Sequence, residues 1–343
     1  MEETMKTIII DGMGGDYAPA GPVDGALRAL ALYPNLSIIL TGTKEALEKE
    51  LAGKTYDKAR LTIRETSEVI ENEEESPVEA IRKKKDSSMV VGLDMVKKGE
   101  ADGIVSAGNT GALLAGATFV TGRIKGVVRP ALTLALPMGK RPTLLLDVGA
   151  NMDCKPAFLV QFARMADVYY RNLYGVKNPR IGLLNVGVEE HKGNALSKEA
   201  FQLLKEAKDL NFVGNCEARE VFGDDFDVVV TDAFAGNVLI KAMEGLGSVI
   251  KQKLSENLHK SLRGKIGGLL AKPAIYELKG SLDPNSVGGC PLLGIKGAVI
   301  KAHGNSKGEA FASAIGQCLK FIETGVNDEI KERMAQAKGT DAE

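Results

Sequence analysis

The chain has 343 residues, 44% of them apolar and 26% charged, with a formal net charge of −1. It is long enough for a large core in one α/β unit, and it lacks the basic excess and aromatic content expected of a nucleic-acid-binding surface. Four widely spaced cysteines without a CxxC pair (Cys154, Cys216, Cys290, Cys318) read as reduced thiols of a cytoplasmic protein, not as a zinc site or disulfide framework. No apolar run reaches the length of about 18 residues that a membrane span requires.

Lys6–Asp11 (KTIIID) reads as a buried strand ending in a glycine loop, followed by a helix over Pro22–Leu32. Leu36–Thr41 is a second strand, Lys44–Leu51 a helix, and Arg60–Arg64 a third strand. Glu71–Lys85 is acidic, then basic, and breaks at Ser76-Pro77. It reads as a loop into an exposed helix whose Lys83-Lys84-Lys85 run is a solvated face. Met89–Lys98 is helical and leads into Ala101–Gly116, which reads as strand, glycine turn and small-residue helix. Ala131–Pro137 and Thr143–Asp147 suggest a hairpin, and Pro156–Tyr170 a long helix. Arg180–Val186, Phe212–Gly214 and Asp227–Thr231 read as strands, with a helix over Asn194–Glu206. Ala298–Ala302 is the final strand and Glu309–Gly325 the closing helix. Short strands alternating with helices predict a doubly wound, mostly parallel sheet. The expected unit is residues 1–335 in two lobes, about 1–125 with 296–335 and about 126–295, with a frayed tail at 336–343.

Between Val249 and Gly280 the texture changes. Leu239, Met243, Leu246, Ile250, Leu254 and Leu258 fall at helical spacing, and Lys251, Lys253, Lys260, Arg263, Lys265 and Lys272 cluster beside Ile266, Leu269 and Leu270. This inserted basic amphipathic helical segment (238–280) suits an anionic membrane surface, an acidic partner, or packing on the core or a second subunit.

In a doubly wound sheet, ligands bind beyond the carboxyl ends of the strands. Six predicted ends carry glycine with Asp, Asn, Ser or His: Asp11–Asp16, Ser106–Gly111, Asp147–Asn151, Asn185–Gly193, Asp232–Asn237 and His303–Ser306. Together they predict a polar cleft. Ser106, Gly108, Asn109, Thr110 and Gly111 combine hydroxyl and amide donors with a helix start, which suits an anion, though Asn109 or Thr110 at this position also suits a simple N-cap. Arg129, Lys192 and Lys241 are cations in or near these loops, and Asn151, Asn185 and Asn237 offer amides to an oxyanion. Asp11, Asp147 and Asp232 orient cations or bind a metal. His303, at a strand end, is a candidate acid. The sequence has no GxSxG elbow, HExxH, Walker A or GxGxxG.

Asp11–Pro19 (DGMGGDYAP), Ser106–Ala115 (SAGNTGALLA), Arg129-Pro130, Leu145–Asn151 (LLDVGAN), Gly182–Gly187 with Lys192–Asn194, Val228–Val238 (VVVTDAFAGNV), and Gly288–Gly294 with His303-Gly304 carry a resemblance to the bacterial phosphate acyltransferases. These segments span nearly the whole chain. One departure is Asp232-Ala233-Phe234-Ala235-Gly236-Asn237, where the family more often has Asp-Gly-Phe-Thr-Gly-Asn. The resemblance implies a fold like the isocitrate and isopropylmalate dehydrogenases and phosphotransacetylase, a homodimer, no redox cofactor, loose association with the inner face of the membrane, and a downstream membrane acyltransferase as partner. It implies transfer of an acyl group from acyl-acyl-carrier-protein to inorganic phosphate.

On this reading Asn109, Lys192, Asp232, Asn237 and His303 act in catalysis. Asp11, Gly14, Gly15, Ser106, Gly108, Thr110, Gly111, Arg129, Asn151, Asn185 and Gly236 hold phosphate and acyl group. Leu262–Leu270 and Leu292–Ile295 are candidates for an acyl groove. Loss of Asn109 is expected to lower turnover roughly 10- to 1000-fold, the scale for one oxyanion donor. The competing readings are a metal- and NAD-dependent β-decarboxylating dehydrogenase of the same fold and a non-enzymatic membrane or carrier-protein scaffold.

Overall fold

The computed structural model describes residues 4–137, 139–282 and 288–340. The first half alternates β1 (Lys6–Asp11), α1 (Ala20–Leu32), β2 (Leu36–Gly42), α2 (Lys44–Leu51), β3 (Leu61–Glu65), α3 (Pro77–Lys83), α4 (Ser88–Lys98), β4 (Gly103–Ser106) and α5 (Thr110–Gly116), which continues as a π turn over Ala117–Thr121. The second half comprises β5 (Ala131–Leu136), β6 (Thr143–Leu146), α6 (Pro156–Tyr174), β7 (Ile181–Asn185), α7 (Ala195–Glu206), β8 (Phe212–Glu217), β9 (Val228–Val230), α8 (Ala233–His259) and α9 (Leu262–Leu282). The chain closes with β10 (Cys290–Leu293), β11 (Ala298–Lys301), α10 (Gly308–Glu323) and α11 (Val326–Thr340).

Among the described residues eleven strands form one sheet in the order β3-β2-β1-β4-β11-β10-β5-β6-β9-β7-β8. Pairing is parallel from β3 to β11 and from β6 to β8, and antiparallel at β11–β10, β10–β5 and β5–β6. Strand sequences such as KTIIID and TLLL are continuous apolar runs because both faces are covered. Ile8 and Ile10 pack with Val23 and Phe311 on one face, while Ile9 packs with Met89 and Leu93 on the other. In the second half Leu144 and Leu146 meet Phe162 of α6, and Leu145 points to the opposite layer. The period-2 alternation thus divides each strand between two helical layers.

β10 has no counterpart in the sequence reading. It is four residues long and contains Pro291, features that hide a strand. Its antiparallel pairing with both β11 and β5 makes it the seam between the two parallel halves of the sheet.

The C-terminus also differs from expectation. α11 runs to Thr340, so the tail expected to fray from residue 336 is helical through Thr340. Val326, Ile330, Met334 and Ala337 are buried, a spacing of three to four that docks one helical face. Arg333 reaches Asp167 of α6 at 3.7 Å and Asp209 at 3.4 Å. Residues 341–343 lie outside the described residues.

Residues 238–280, expected as a basic amphipathic segment, fall within α8 and α9. α8 buries only Ala233, Gly236 and Ile240, all in its first third. Beyond these, Leu246, Val249, Ile250 and Leu254 are exposed, as are Leu262, Ile266, Leu269 and Leu270 of α9. Lys251, Lys253, Lys260, Arg263 and Lys265 are exposed and Leu258 is half-buried. Among the described residues α8 alone has the length and composition of a membrane-crossing helix, with a mean hydropathy of 1.2.

Candidate active site

The carboxyl ends of β1, β4 and β11 lie side by side, since Ile10 pairs with Val105 and Ser106 with Lys301. Asp11 is buried there. Its Oδ1 accepts from Ser88 Oγ and its Oδ2 from Ser106 Oγ, each at 2.6 Å. Burial pushes the Asp11 pKa up, and the two hydroxyl donors pull against that shift. Ser106 Oγ also accepts from Gly108 N–H at 3.1 Å. Ser106 is fully buried, so its hydroxyl shapes the turn and does not reach the cleft. A Cβ on Gly14 would stand 2.5 Å from Asp11 Oδ2 and 2.7 Å from Gly108 N. Gly14 therefore allows the loops after β1 and β4 to touch backbone to backbone. Gly15, at φ +101°, abuts Ala107, and Asp16 N–H donates to Gly304 O at 2.8 Å. Three of the six expected loops thus meet here.

Asn109 is the N-cap of α5. Its Oδ1 accepts from Ala112 N–H at 2.9 Å, and its Nδ2 donates to Asn72 O at 2.8 Å and Glu74 O at 3.4 Å. Both ends of the amide are engaged, which corrects the picture of a side chain waiting for an oxyanion. Asn72 itself accepts from Gly15 N–H and donates to Asp16. The 72–74 segment was not foreseen, because its contacts depend on main-chain carbonyls that carry no sequence signal. Thr110 and Gly111 are exposed, and their amides sit in the first helical turn, where no intrahelical carbonyl can reach them. Asn109→Ala should cost about 1 kcal/mol of stability through the lost cap and lower turnover by about tenfold, the bottom of the range for one lost donor. Urea unfolding and steady-state kinetics check both; a thousandfold loss of turnover at unchanged stability would restore Asn109 as a direct donor.

The second half supplies a facing wall. Asp147 is buried and holds its own loop. Oδ1 accepts from the N–H groups of Leu132, Gly149 and Ala150 at 3.0–3.1 Å, and Oδ2 from Asn151 N–H at 2.8 Å and Asn151 Nδ2 at 2.6 Å. Burial pushes the Asp147 pKa up, and the N–H donors oppose it. Asn151 Nδ2 donates also to Pro130 O at 2.7 Å. Asp232 caps α8 by accepting from Ala235 N–H at 2.8 Å, and Asn237 Nδ2 donates to Val148 O at 3.1 Å. Asp147, Asn151, Asp232 and Asn237 therefore build the loop and helix start, each bonding main chain through at least one side-chain atom. Cys154 beside them has its pKa pushed up by burial to about 12, which keeps it a thiol.

A pocket at the seam is lined by Thr110, Leu113 and Leu114 of α5, Leu132 of β5, Gly149 and Ala150 of the Asp147 loop, Leu292 of β10 and Lys301 of β11. It joins both halves of the sheet. Leu292 falls within the expected acyl groove. Lys301, which sequence reasoning missed, is its one charged lining residue. Its only sequence signal was a lysine at the end of the apolar strand Ala-Val-Ile-Lys. Lys301 Nζ donates to Ala107 O at 3.1 Å and Ala302 O at 2.5 Å, and desolvation pushes its pKa down to about 8.

Other expected site residues lie outside this lining. Arg129 is exposed, with its guanidinium 5.9 Å from the Phe158 ring centroid. Lys192 is exposed, and its carbonyl accepts from Asn185 Nδ2 at 3.2 Å; that amide also donates to Asn215 Oδ1 at 3.1 Å. Lys241 is paired with Glu244 at 2.8 Å. His303 is exposed, and Asn305 N–H lies 3.3 Å from its Nδ1. Among the described residues no three His, Cys, Asp or Glu side chains form a group that could hold a metal ion.

The mixed α/β fold with its large, mostly parallel sheet is similar to that of solved phosphotransacetylases. A phosphotransacetylase from Streptococcus pyogenes superposes with a TM-score of 0.61 at 18% identity, covering 94% of this chain and 95% of that one. The chain belongs to the fatty acid synthesis protein family, whose model matches residues 6–329, and is an enzyme of the phosphate acyltransferase type. A phosphate acyltransferase of Clostridioides difficile is 50% identical over 326 residues, 95% of each chain, and one of Clostridium novyi is 47% identical over 329 residues, 96% of this chain and 98% of that one.

Proposed function

We propose that the enzyme transfers a long-chain fatty acyl group from acyl-acyl-carrier-protein to inorganic phosphate, yielding acyl phosphate for phosphatidic acid synthesis. The observation that carries this reading is the seam between the two halves of the sheet, where the start of α5, Lys301 and four leucines meet around a cavity of about 10 Å³ that must widen to admit substrate. Polar donors suit the phosphate and thioester carbonyl, and the leucines suit the first methylenes of the acyl chain. Relatives named phosphate acyltransferase at about half identity support phosphate as a substrate.

In the proposed chemistry the amides of Thr110 and Gly111 hold phosphate, and a phosphate oxygen attacks the thioester carbonyl. The Asp147-ordered loop offers main-chain groups to the tetrahedral oxyanion. Arg129 and Lys192, exposed outside the pocket lining, are the cations proposed to draw the phosphate dianion in, and His303 is exposed outside it as well. Phosphate is already a nucleophile and the carrier thiolate a fair leaving group, so no covalent enzyme intermediate is needed.

The exposed leucines and cations of α8 and α9 support a peripheral position on the cytoplasmic face of an anionic membrane. Such a position would deliver acyl phosphate to a membrane acyltransferase. A homodimer is part of the same reading.

The test is release of free carrier thiol from palmitoyl-acyl-carrier-protein, with and without phosphate. Phosphate-dependent release together with a hydroxylamine-reactive acyl phosphate is expected. Release without phosphate, or turnover of a nicotinamide with hydroxy acids in its place, would overturn the proposal.

A further inference from the structure

The carrier thiolate must leave with a proton, and the pocket contains one group placed to give it. We infer that Lys301 is a catalytic residue of the acyl transfer, its ammonium donating to the departing sulfur within the pocket formed by Thr110, Gly149, Ala150 and the four leucines. The inference rests on the acyl-transfer reading above.

The geometry supports this in three ways. Lys301 is the only charged residue lining the pocket, whereas Arg129, Lys192 and His303 are exposed outside it. An ammonium has three N–H donors, and two are used by Ala107 O and Ala302 O. One therefore remains that these carbonyls do not use. The first of these carbonyls belongs to the turn that leads into the free amides of Thr110 and Gly111, so the proton donor and the phosphate cradle are held by the same piece of chain.

The charged and titratable groups facing Lys301 are Cys290 of β10, Asp11 of β1 and Asp16 of the following loop. On the β4 side Lys301 pairs in register with Ser106, and the Ala107 carbonyl just beyond that strand accepts from its Nζ. Burial pushes Cys290 up to about 11, leaving it a neutral thiol. Desolvation holds Lys301 near 8, close to the range in which an acid is both protonated and willing to give up its proton.

The step balances. A phosphate oxygen forms the C–O bond to the thioester carbon. The C–S bond breaks and its electron pair leaves on sulfur. The Lys301 ammonium protonates that sulfur, giving the free thiol and a neutral amine. The amine then takes up the proton that hydrogen phosphate brought in, and the acyl phosphate leaves as the dianion.

The experiment compares the full-length wild type with Lys301→Met across pH, reading thiol release and urea unfolding together. Wild-type kcat/KM should fall as pH rises through about 8. Lys301→Met should lose roughly 100- to 1000-fold in kcat, the scale for one lost donor, and that alkaline limb should vanish. Unfolding gives a second reading. The folded-state pKa lies below the unfolded value, so the unfolded chain binds more protons between about 8 and 10.5, and wild-type stability should rise relative to Lys301→Met across that window. Kinetics for Lys301→Met within threefold of wild type, or a lowered rate with the alkaline limb intact, overturn the assignment. Should the variant not fold, the wild-type profile decides: a rate level from below pH 8 to 10.5 overturns it. Absence of any phosphate-dependent turnover in the wild type overturns the functional reading and this assignment together.

Discussion

Asp147→Ala should destabilise the protein by about 4 kcal/mol and abolish acyl transfer. The carboxylate accepts five N–H bonds, from Leu132, Gly149, Ala150 and twice from Asn151. Each buried donor left without a partner costs about 1–3 kcal/mol, reduced where water can enter. Leu132 is buried, while Gly149, Ala150 and Asn151 are half-buried, so water relieves only part of the loss. The loop is also the pocket wall opposite α5, so turnover should fall with stability. Asp147→Asn retains one acceptor oxygen but directs an NH2 group at the Asn151 donors, and should cost about half as much. Urea midpoints at constant m-value check both figures. A loss below about 1 kcal/mol for the alanine variant would mean that these donors find other partners.

The second large effect concerns Gly236. Sequence reading placed this residue among the groups that hold substrate. In the structure a Cβ there would lie 2.1 Å from Asp147 O and 3.0 Å from Thr231 Cγ2. The obstacle is main chain, which cannot swing aside as a long side chain can. Gly236→Ala should therefore cost about 3 kcal/mol, the upper end of ordinary overpacking, by lifting the start of α8 from the Asp147 loop. Asn237, whose Nδ2 donates to Val148 O, would move with it. A glycine that mattered only for ligand approach would raise KM at unchanged stability. Thermal unfolding alongside kinetics separates the two cases, and an unchanged midpoint would contradict the packing account.

These two residues also mark how far the sequence could be read. The alternation of apolar runs with helical periods located ten of the strands and the helices between them, because burial on both faces leaves continuous Ile, Val and Leu stretches such as KTIIID and TLLL. β10 was lost because four residues with a proline carry no period. The C-terminal tail looked polar, but Val326, Ile330, Met334 and Ala337 form a narrow buried stripe, and Arg333 beside it reaches Asp167 on α6 and Asp209.

Loops rich in glycine, asparagine and aspartate were read as strand ends around a cleft, and the structure brings the start of α5 and the Asp147 loop to one cavity. What the sequence could not assign was the direction of each polar group. Asn109, Asn151, Asp147 and Asp232 have residue types that suit either a ligand or a backbone cap, and the structure turns all four toward main chain. Lys301 presented the opposite problem. A lysine ending an apolar strand reads as a surface charge until its neighbours show that desolvated carbonyls hold it.

The attacking phosphate is expected at the seam, between the start of α5 and Lys301. A crystal of the full chain grown with phosphate tests this most directly. The expected result is phosphate within hydrogen-bond distance of the Thr110 and Gly111 amides and of Lys301 Nζ. Phosphate bound elsewhere, for example beside Lys192 with the seam pocket unoccupied, would contradict it.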